Sequence, residues 1–471
     1  MTNQAELLAF DVATLAGKLR HKEISPVELT AAYLERTERL DAKLRCYITV
    51  TADDARAAAQ RAEREILAGN WRGPFHGIPI ALKDLCSTKG IRTTGGSKIL
   101  AEHVPDFDST VWARLAAAGA ILLGKLNLHE FAAGVTNSNP HWGVCRNPYN
   151  LERIPGGSSG GSAVAIVARL AAATIGTDTG GSIRIPAAFC GCVGMKQTWS
   201  RVSRYGVLPL ADSLDHAGPI TRSVIDAALM LQVIAGHDPD DATSSHEPVP
   251  DYVAACGREI KGMRVGVIRE LRTDLSDAVA ASFDAALAKL RELGADLSEV
   301  SLPAIDHVPA VVTTITFAEA AEYHQPWIRT RADDYGRDVR RALEAGMLMP
   351  AVHYIRAQRA RAVMLAQAQS ALERCSVLVA PTAAIPAPRI YIGANALMPN
   401  GDPVDMVAAI LRFTAPFNVT GQPALALPTG LAPDGLPLSM QIIGRPFDEP
   451  TVLQVAAAYE AARGALAPPA I

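Results

Sequence analysis

The sequence lacks the features of disulfide-rich, metal-stabilised and strongly charged proteins. The 471-residue chain has seven scattered cysteines, an odd number, and no CxxC motif. We therefore expect neither a disulfide framework nor a structural zinc site. The net charge is only −3 and no long basic run occurs, so composition gives no electrostatic reason to expect direct binding to nucleic acid or to a membrane surface.

Long apolar runs are also missing. The N-terminus has no basic segment followed by an apolar one, and Arg169 interrupts the longest apolar stretch. A membrane-spanning helix needs about 20 predominantly apolar residues. We expect a cytoplasmic protein without a signal peptide and without membrane contact. The hydrophobic content of 49% is ample for a large buried core.

Helical and strand patterns alternate along the chain. This alternation predicts an α/β fold in which a central, twisted, mixed β-sheet is covered on both faces by α-helices. Residues 1–70 resemble a helical arm that includes a capping box at Ser25–Glu28, and residues 71–471 are expected to form one large domain. Asp238–Asp251 and Tyr391–Pro403 are polar or rich in Pro and Gly, so we expect surface excursions there.

The middle of the chain carries five local predictions. Gly77–Leu85 contains a short buried strand, Leu128–Ala133 a short helix and Thr136–Asn150 a polar loop. Gly161–Leu170 has the apolar spacing of a helix, and Ala172–Thr177 that of a strand.

Two serine-bearing glycine clusters, Gly156–Ser162 and Gly180–Ser182, flank the apolar run Ala163–Ile175. Glycine lets the backbone approach a ligand closely. A serine in such a loop, with backbone N–H groups beside it, can be a nucleophile with its oxyanion hole. Two tight turns around a buried helix would give the same pattern, and each cluster taken alone favours that simpler reading.

Several familiar chemistries fit poorly. Gly156–Gly160 matches GxSxG, but no strand enters the turn, as a nucleophile elbow requires. The absence of GK[ST] argues against a P-loop. His129-Glu130 lacks the second histidine of HExxH, and no other metal-ligand cluster is visible. A serine–lysine pair remains, which is one known variant of triad chemistry.

Lys83 is the lysine best placed for such a pair. It follows the apolar residues Ile80–Leu82, and burial favours the neutral amine that acts as a base. The alternative is an ion pair with the adjacent Asp84. The local sequence favours the two readings about equally.

These motifs together resemble the amidase signature family. The matching blocks are GIPIALKDL, PGGSSGGSAVA, GTDTGGSIRIPAAFCGCVGMKQT, SLDHAGPITRS and LSMQIIGRPFDE, so the likeness extends from about residue 60 to the C-terminus. It implies that residues 71–471 are an amidase signature catalytic domain. The family needs no metal or cofactor, and none is expected here.

By position, the family's Ser-cisSer-Lys triad falls on Ser182, Ser158 and Lys83. The resemblance implies that Ser182 is acylated and that Ser158 carries protons between Ser182 and Lys83, with Ser159 in support. Backbone N–H groups of Thr179, Gly180 and Gly181, together with that of Ser182, would hold the oxyanion. Asp178 and Arg184 are expected to pair or to order this loop. Thr136 and Asn137 are weaker candidates for contacts with the substrate.

Within the family, the nearest subgroup likeness is to the glutaminase component, the A subunit, of glutamyl-tRNA amidotransferase. That component carries an acidic residue where this chain has Leu411, so recognition of free glutamine is disfavoured. We therefore predict a stand-alone, homodimeric serine amidohydrolase that cleaves a small-molecule amide in an apolar cleft, and that also acts on esters or carbamates. The alternative is a glutamine-hydrolysing A subunit that works with partner proteins.

Overall fold

The computed structural model describes residues 4–390, 403 and 405–471. The predicted excursion Tyr391–Pro403 lies outside these residues, apart from position 403. Among the described residues, eleven strands form one sheet in the order β1-β3-β2-β6-β8-β7-β12-β13-β11-β9-β10. The strands, including the two-stranded hairpin β4–β5, are β1 Tyr47–Val50, β2 Pro79–Lys83, β3 Ile121–Leu126, β4 Ser138–Asn139, β5 Gly143–Val144, β6 Ala173–Thr177, β7 Val193–Lys196, β8 Ala217–Thr221, β9 Arg264–Ile268, β10 Asp296–Val300, β11 Val377–Pro381, β12 Ala424–Leu431 and β13 Pro437–Ile443.

The sheet is mixed, as predicted. Strand β2 runs parallel to β3 and β6, and β9 runs parallel to β10 and β11, whereas the central strands pair antiparallel. Helices flank the sheet: α1 Gln4–Leu7, α2 Val12–Arg20, α3 Pro26–Leu44, α4 Ala52–Leu67, α5 Thr110–Ala117, α6 Gly160–Val167, α7 Arg184–Cys190, α8 Val224–Ile234, α9 Tyr252–Ala255, α10 Asp277–Glu292, α11 Val308–Ile328, α12 Arg337–Met347, α13 Ala351–Arg374, α14 Arg412–Thr414, α15 Pro416–Val419 and α16 Glu449–Arg463.

Both faces of the sheet bury apolar side chains. On β11, Val377 and Val379 belong to one hydrophobic cluster, and Leu378 and Ala380 belong to another. Successive side chains of a strand point to opposite faces, so this alternation shows a core on each side. Continuous apolar strands of this kind are expected when helices cover both faces.

The N-terminal helices share the larger of these cores. Ser25 caps α3 by accepting hydrogen bonds from the Val27 and Glu28 N–H groups, as the capping box predicts. Apolar residues of α2, α3 and α4 belong to the same cluster as the strands β2, β3 and β6. Strand β1 then pairs with β3 and forms one edge of the sheet.

Two local predictions need correction. Leu128–Ala133 is not a regular helix, because only Glu130–Ala132 form a single 3₁₀ turn and both Phe131 (φ 46°) and Ala132 (φ 61°) have positive φ. The loop at Thr136–Asn150 contains the β4–β5 hairpin. The strand and helix predicted at Gly77–Leu85 and Gly161–Leu170 are present as β2 and α6, each shorter than expected.

Parallel pairing brings the ends of β2 and β6 together. The register pairs Leu82 of β2 with Ile175 of β6, so the carboxyl ends of the two strands lie at one edge. Lys83 ends β2 and Thr177 ends β6. The loop that follows β6, which carries Gly180–Ser182, therefore begins beside the predicted base.

Candidate active site

Lys83 is buried, and its amine lies within hydrogen-bonding distance of three hydroxyl groups. Nζ lies 2.7 Å from Ser158 Oγ, 2.9 Å from Ser159 Oγ and 2.7 Å from Thr177 Oγ1. Within the described part of the chain, no carboxylate forms an ion pair with it. The adjacent Asp84 instead lies beside Lys125 and accepts hydrogen bonds from Thr94. The ion-pair reading of Lys83 is therefore wrong.

Burial lowers the pKa of Lys83 to about 7, against the opposing influence of Cys86, Asp215 and Asp178. Taking an ammonium out of water disfavours its charged form. A large fraction of the amine is therefore neutral at physiological pH, with a lone pair that can accept a proton.

Hydrogen bonding distinguishes the three hydroxyls. Ser159 Oγ donates to the Thr177 carbonyl oxygen (3.1 Å) and accepts from the Thr177 N–H (3.1 Å), so its own proton is already engaged. A neutral amine has two N–H donors and one lone pair. Lys83 can thus donate to Ser159 and Thr177 while accepting from Ser158, which follows a cis peptide bond at Gly157–Ser158.

The two serine-bearing loops lie side by side. The Ser159 N–H donates to the Ser182 carbonyl oxygen at 3.2 Å. Ser182 is 5% exposed, whereas Ser158 and Ser159 are fully buried. The fold therefore brings together the two glycine clusters that the sequence separates by a helix and a strand.

A buried carboxylate shapes the loop that carries Ser182. Asp178 accepts hydrogen bonds from the Gly181 N–H (2.7 Å), the Ile183 N–H (3.2 Å) and Asn418 Nδ2 (2.8 Å). Arg184 donates to both of its oxygens at 3.1 Å, so the expected pairing of Asp178 with Arg184 is present. Burial alone would raise the pKa of Asp178, but Arg184 and Lys196 hold it well below its usual value.

Glycine is required within this loop. Gly181 has a φ of 135°, and a Cβ atom there would overlap Thr414 Oγ1. Thr414 Oγ1 in turn donates to the Gly180 carbonyl oxygen at 2.6 Å. Thr179 Oγ1 donates to Asp215 at 2.5 Å. These contacts fix the backbone of the three residues whose N–H groups the sequence assigned to an oxyanion hole. The assignment of Gly181 needs correction, because its N–H already donates to Asp178, which leaves the N–H groups of Thr179, Gly180 and Ser182 as the candidate donors.

A cavity of about 90 Å³ opens at Ser182. We call it the apolar compartment, because no charged side chain of the described residues lines it. It is lined by Ala132, Ala133, Gly134, Val135, Thr179, Gly180, Ser182, Leu210, Val312, Thr313, Thr316, Phe317 and Leu411. Leu411, which the sequence aligned with an acidic residue of the amidotransferase component, faces this cavity.

Thr136 and Asn137 follow the Ala132–Val135 segment that lines the compartment. Thr136 Oγ1 lies 3.3 Å from His129 Nδ1, and Asn137 Oδ1 accepts a hydrogen bond from the Gly160 N–H at 3.0 Å. The Asn137 contact supports the loop that carries Ser158, and the substrate role assigned to both residues stays a prediction.

Sequence reasoning missed two residues. Thr177 contacts Lys83, and Asp215 holds Thr179 while also accepting from the Leu210 and Ala211 N–H groups. Thr177 lies at the end of β6, so the parallel strand pair was the available signal. Asp215 lies just before β8, 36 residues after Thr179 in the chain, and the local sequence offered no comparable signal.

Neither a metal centre nor a membrane span emerges from the described residues. No group of three or more His, Cys, Asp or Glu residues among them is placed to hold an ion. None of their helices has both the length and the hydrophobicity needed to cross a bilayer.

Comparisons with known proteins identify relatives of this chain. A family model described as Amidase matches residues 28–453. The A subunit of glutamyl-tRNA(Gln) amidotransferase from Geobacter metallireducens is 43% identical over 482 residues, covering 97% of this chain and 98% of that relative.

Two solved structures share the fold. A protein from a vestigial complex, one that reveals the evolutionary origins of an s-triazine catabolic enzyme, superimposes with a TM-score of 0.90 at 33% identity, covering 95% of this chain and 98% of that chain. The A subunit of glutamyl-tRNA(Gln) amidotransferase from Thermotoga maritima gives 0.81 at 34% identity, covering 96% and 95%. The sequence match and the shared architecture together establish that the chain belongs to the amidase signature family.

Proposed function

We propose that the chain is a serine amidohydrolase that cleaves the C–N bond of a small carboxylic amide. The observation that carries the proposal is the buried amine of Lys83, which lies 2.7 Å from Ser158 Oγ and, among the residues that the structure describes, has only hydroxyl groups as hydrogen-bond partners. An uncharged amine in that position is a base for a serine hydroxyl.

In the proposed mechanism, Lys83 accepts the Ser158 proton while Ser158 accepts that of Ser182. Ser182 Oγ then bonds to the amide carbon. The resulting oxyanion is held by the backbone N–H groups of Thr179, Gly180 and Ser182, since the Gly181 N–H already donates to Asp178, and removing one such donor typically costs about 3–4 kcal/mol of transition-state stabilisation.

Breakdown of the tetrahedral intermediate breaks the C–N bond. Ser158 returns a proton to the departing nitrogen, because an amide anion is a poor leaving group. Water then attacks the Ser182 ester while the relay accepts a proton from it, and the relay returns that proton to Ser182 Oγ as the carboxylic acid is released. The same chemistry extends to esters and carbamates, and no step needs a metal or a cofactor.

The apolar compartment supports a hydrocarbon-bearing substrate rather than free glutamine. A zwitterionic amino acid would bring an ammonium and a carboxylate into a cavity without charged partners, and an unpaired charge in such a place is costly. Leu411, in place of an acid, is consistent with that preference.

The second candidate function is the A subunit of a glutamyl-tRNA amidotransferase. It is favoured by the 43% identity to such a protein over 97% of the chain. In that reading the same triad releases ammonia from glutamine and delivers it to partner proteins, with tRNA bound by the complex rather than by this chain.

Purified chain, without partners, tests the two functions. Our proposal expects ammonia release from hexanamide with no glutaminase activity, and a Ser182→Ala variant that is folded but inactive. Glutaminase activity that appears only with partner proteins would select the second candidate. We also propose that the chain forms a homodimer, whose molar mass light scattering would measure. Residues 1–70 are more than the predicted helical arm, because they add strand β1 to the sheet, and we propose that they support the catalytic domain.

A further inference from the structure

A second cavity adjoins the apolar compartment. It has a volume of about 190 Å³, and we call it the polar compartment. The two cavities share Ala132, Thr179 and Leu210 as lining residues. They therefore lie next to each other at the loop that carries Ser182, on either side of the place where a scissile bond would lie.

The two cavities face different parts of the catalytic machinery. Gly180 and Ser182 line the apolar compartment, whereas Thr177 lines the polar one. Thr177 Oγ1 is 2.7 Å from Lys83 Nζ, which is equally close to Ser158 Oγ. The nucleophile thus borders the first cavity, and the lysine side of the proton relay borders the second.

Amide cleavage gives these two sides different tasks. The acyl carbon bonds to Ser182, so the acyl group lies on the nucleophile side. The departing nitrogen must receive its proton from the relay, so the amine lies on the relay side. The arrangement of the cavities therefore sets the direction in which an amide binds.

The polar compartment is rich in carboxylates. Its charged lining residues are Arg204, Asp212, Asp215, Asp240 and Asp241. Asp215 and Asp241 are occupied by hydrogen bonds from the protein itself. The side chain of Asp212 is 80% exposed beside Arg204 (3.4 Å), and Asp240 is also exposed. Four carboxylates against one guanidinium disfavour a negatively charged group in this cavity.

We infer that the substrate is an amide of an apolar carboxylic acid with a small polar amine that carries no negative charge. Its acyl group occupies the apolar compartment and its amine occupies the polar one. This inference rests on the proposed amidohydrolase function and specifies its substrate class. An amine released there is protonated in neutral water, and the same carboxylates stabilise the ammonium product.

Four amides of hexanoic acid test the amine side: the primary amide, the N-(2-hydroxyethyl) amide, the cationic N-(2-aminoethyl) amide and the anionic N-carboxymethyl amide. The expected kcat/KM is lowest for the anionic amide and higher for the cationic one. The cationic-to-anionic ratio should fall as salt rises, because exposed charges are screened over about 10 Å at 0.1 M ionic strength.

Variants of the exposed carboxylates test whether the polar compartment causes the preference for a cationic over an anionic amine. Asp212→Asn and Asp240→Asn should each lower the cationic-to-anionic ratio by about two- to fivefold, the range of an exposed ion pair. Asp296→Asn, which removes the same charge from β10 at the far edge of the sheet, should leave that ratio unchanged. Circular dichroism spectra of all three variants should match that of the native protein.

A charged acyl group tests the other side. The primary amide of 6-aminohexanoic acid should be hydrolysed more slowly than hexanamide. Equal rates for cationic and anionic amines, or faster cleavage of the charged acyl group, would overturn the inference while leaving the amidohydrolase function intact. If none of these amides is hydrolysed, both the substrate inference and the amidohydrolase function are rejected.

Discussion

Asp84 lies 3.4 Å from Lys125 and forms no ion pair with Lys83, its neighbour in the chain. Lys125 also donates to the Cys86 carbonyl oxygen at 2.6 Å and to Thr93 at 2.7 Å. Asp84, the carboxylate that would have kept Lys83 protonated, thus pairs with Lys125 instead. Lys83 keeps hydroxyl partners, and burial lowers its pKa to about 7.

The first prediction concerns pH. If neutral Lys83 is the base, kcat/KM for hexanamide should rise with pH, with a midpoint near 7, and level off above it. The direction follows from the group, because protonation at low pH removes the lone pair that accepts the Ser158 proton. A pH–rate profile from about 5 to about 9, spanning both protonation states, measures the midpoint.

Asp215 also titrates within this pH range, because burial raises the pKa of its carboxyl to about 6. A variant of Asp215 is therefore the control for the profile. The charge of Asp215 also raises the pKa of Lys83. An Asp215→Asn variant should therefore move the midpoint to lower pH if Lys83 is responsible. Loss of the pH dependence in that variant would assign it to Asp215 instead.

The second prediction concerns coupling between Lys83 and Ser182. Lys83→Met and Ser182→Ala should each lower kcat by about 10⁴-fold or more, and the double variant should be no worse than the poorer single one, because residues of one relay act as a unit. Single-turnover kinetics and circular dichroism would separate catalysis from folding. Additive losses would contradict a shared relay.

The sequence predicted what depended on local patterns. Glycine-rich loops and the apolar residues before Lys83 allowed a serine–lysine site without deciding for it, and the resemblance to the amidase signature family assigned Ser158, Ser182 and Lys83 to it. The structure brings the two loops and the amine to one place. The contacts that residues distant in the chain make in the site could not be predicted.

Two examples show why. Asp215 comes from the segment just before β8, which runs antiparallel to β6, and strand order in a mixed sheet is not encoded in any one segment. The turn at Phe131 and Ala132 has the apolar composition of a helix, but packing around the cleft holds both residues at positive φ. Tertiary contacts override local propensity at such positions.

The third prediction concerns stability. Asp178→Asn should lower the free energy of unfolding by about 3–5 kcal/mol, because Arg184 would keep its charge in a fully buried position without a negative partner. Urea denaturation would measure the loss. Activity should fall as well, because the Gly181 and Ile183 N–H groups bond to different oxygens of Asp178 and the asparagine amide keeps only one acceptor oxygen. Glu292→Gln, which breaks an ion pair with Lys289 near the surface, should leave the unfolding midpoint unchanged. An equal effect of both variants would rule out a special role for the buried pair.

The fourth prediction concerns Leu411 and the choice between the two candidate functions. Leu411→Asp places a carboxylate in the apolar compartment, where an apolar acyl group can no longer bind without covering the charge. We expect kcat/KM for hexanamide to fall by at least about tenfold, an effect of about 1.4 kcal/mol. Activity toward free glutamine should rise relative to that toward hexanamide, because the new carboxylate can pair with the ammonium of the amino acid.

Leu411→Asn, of nearly the same size but neutral, should lower hexanamide hydrolysis without raising the relative glutaminase activity. Measuring ammonia release from both substrates for the three proteins decides the matter. Equal behaviour of the Asp and Asn variants would show that charge at this position does not select the substrate.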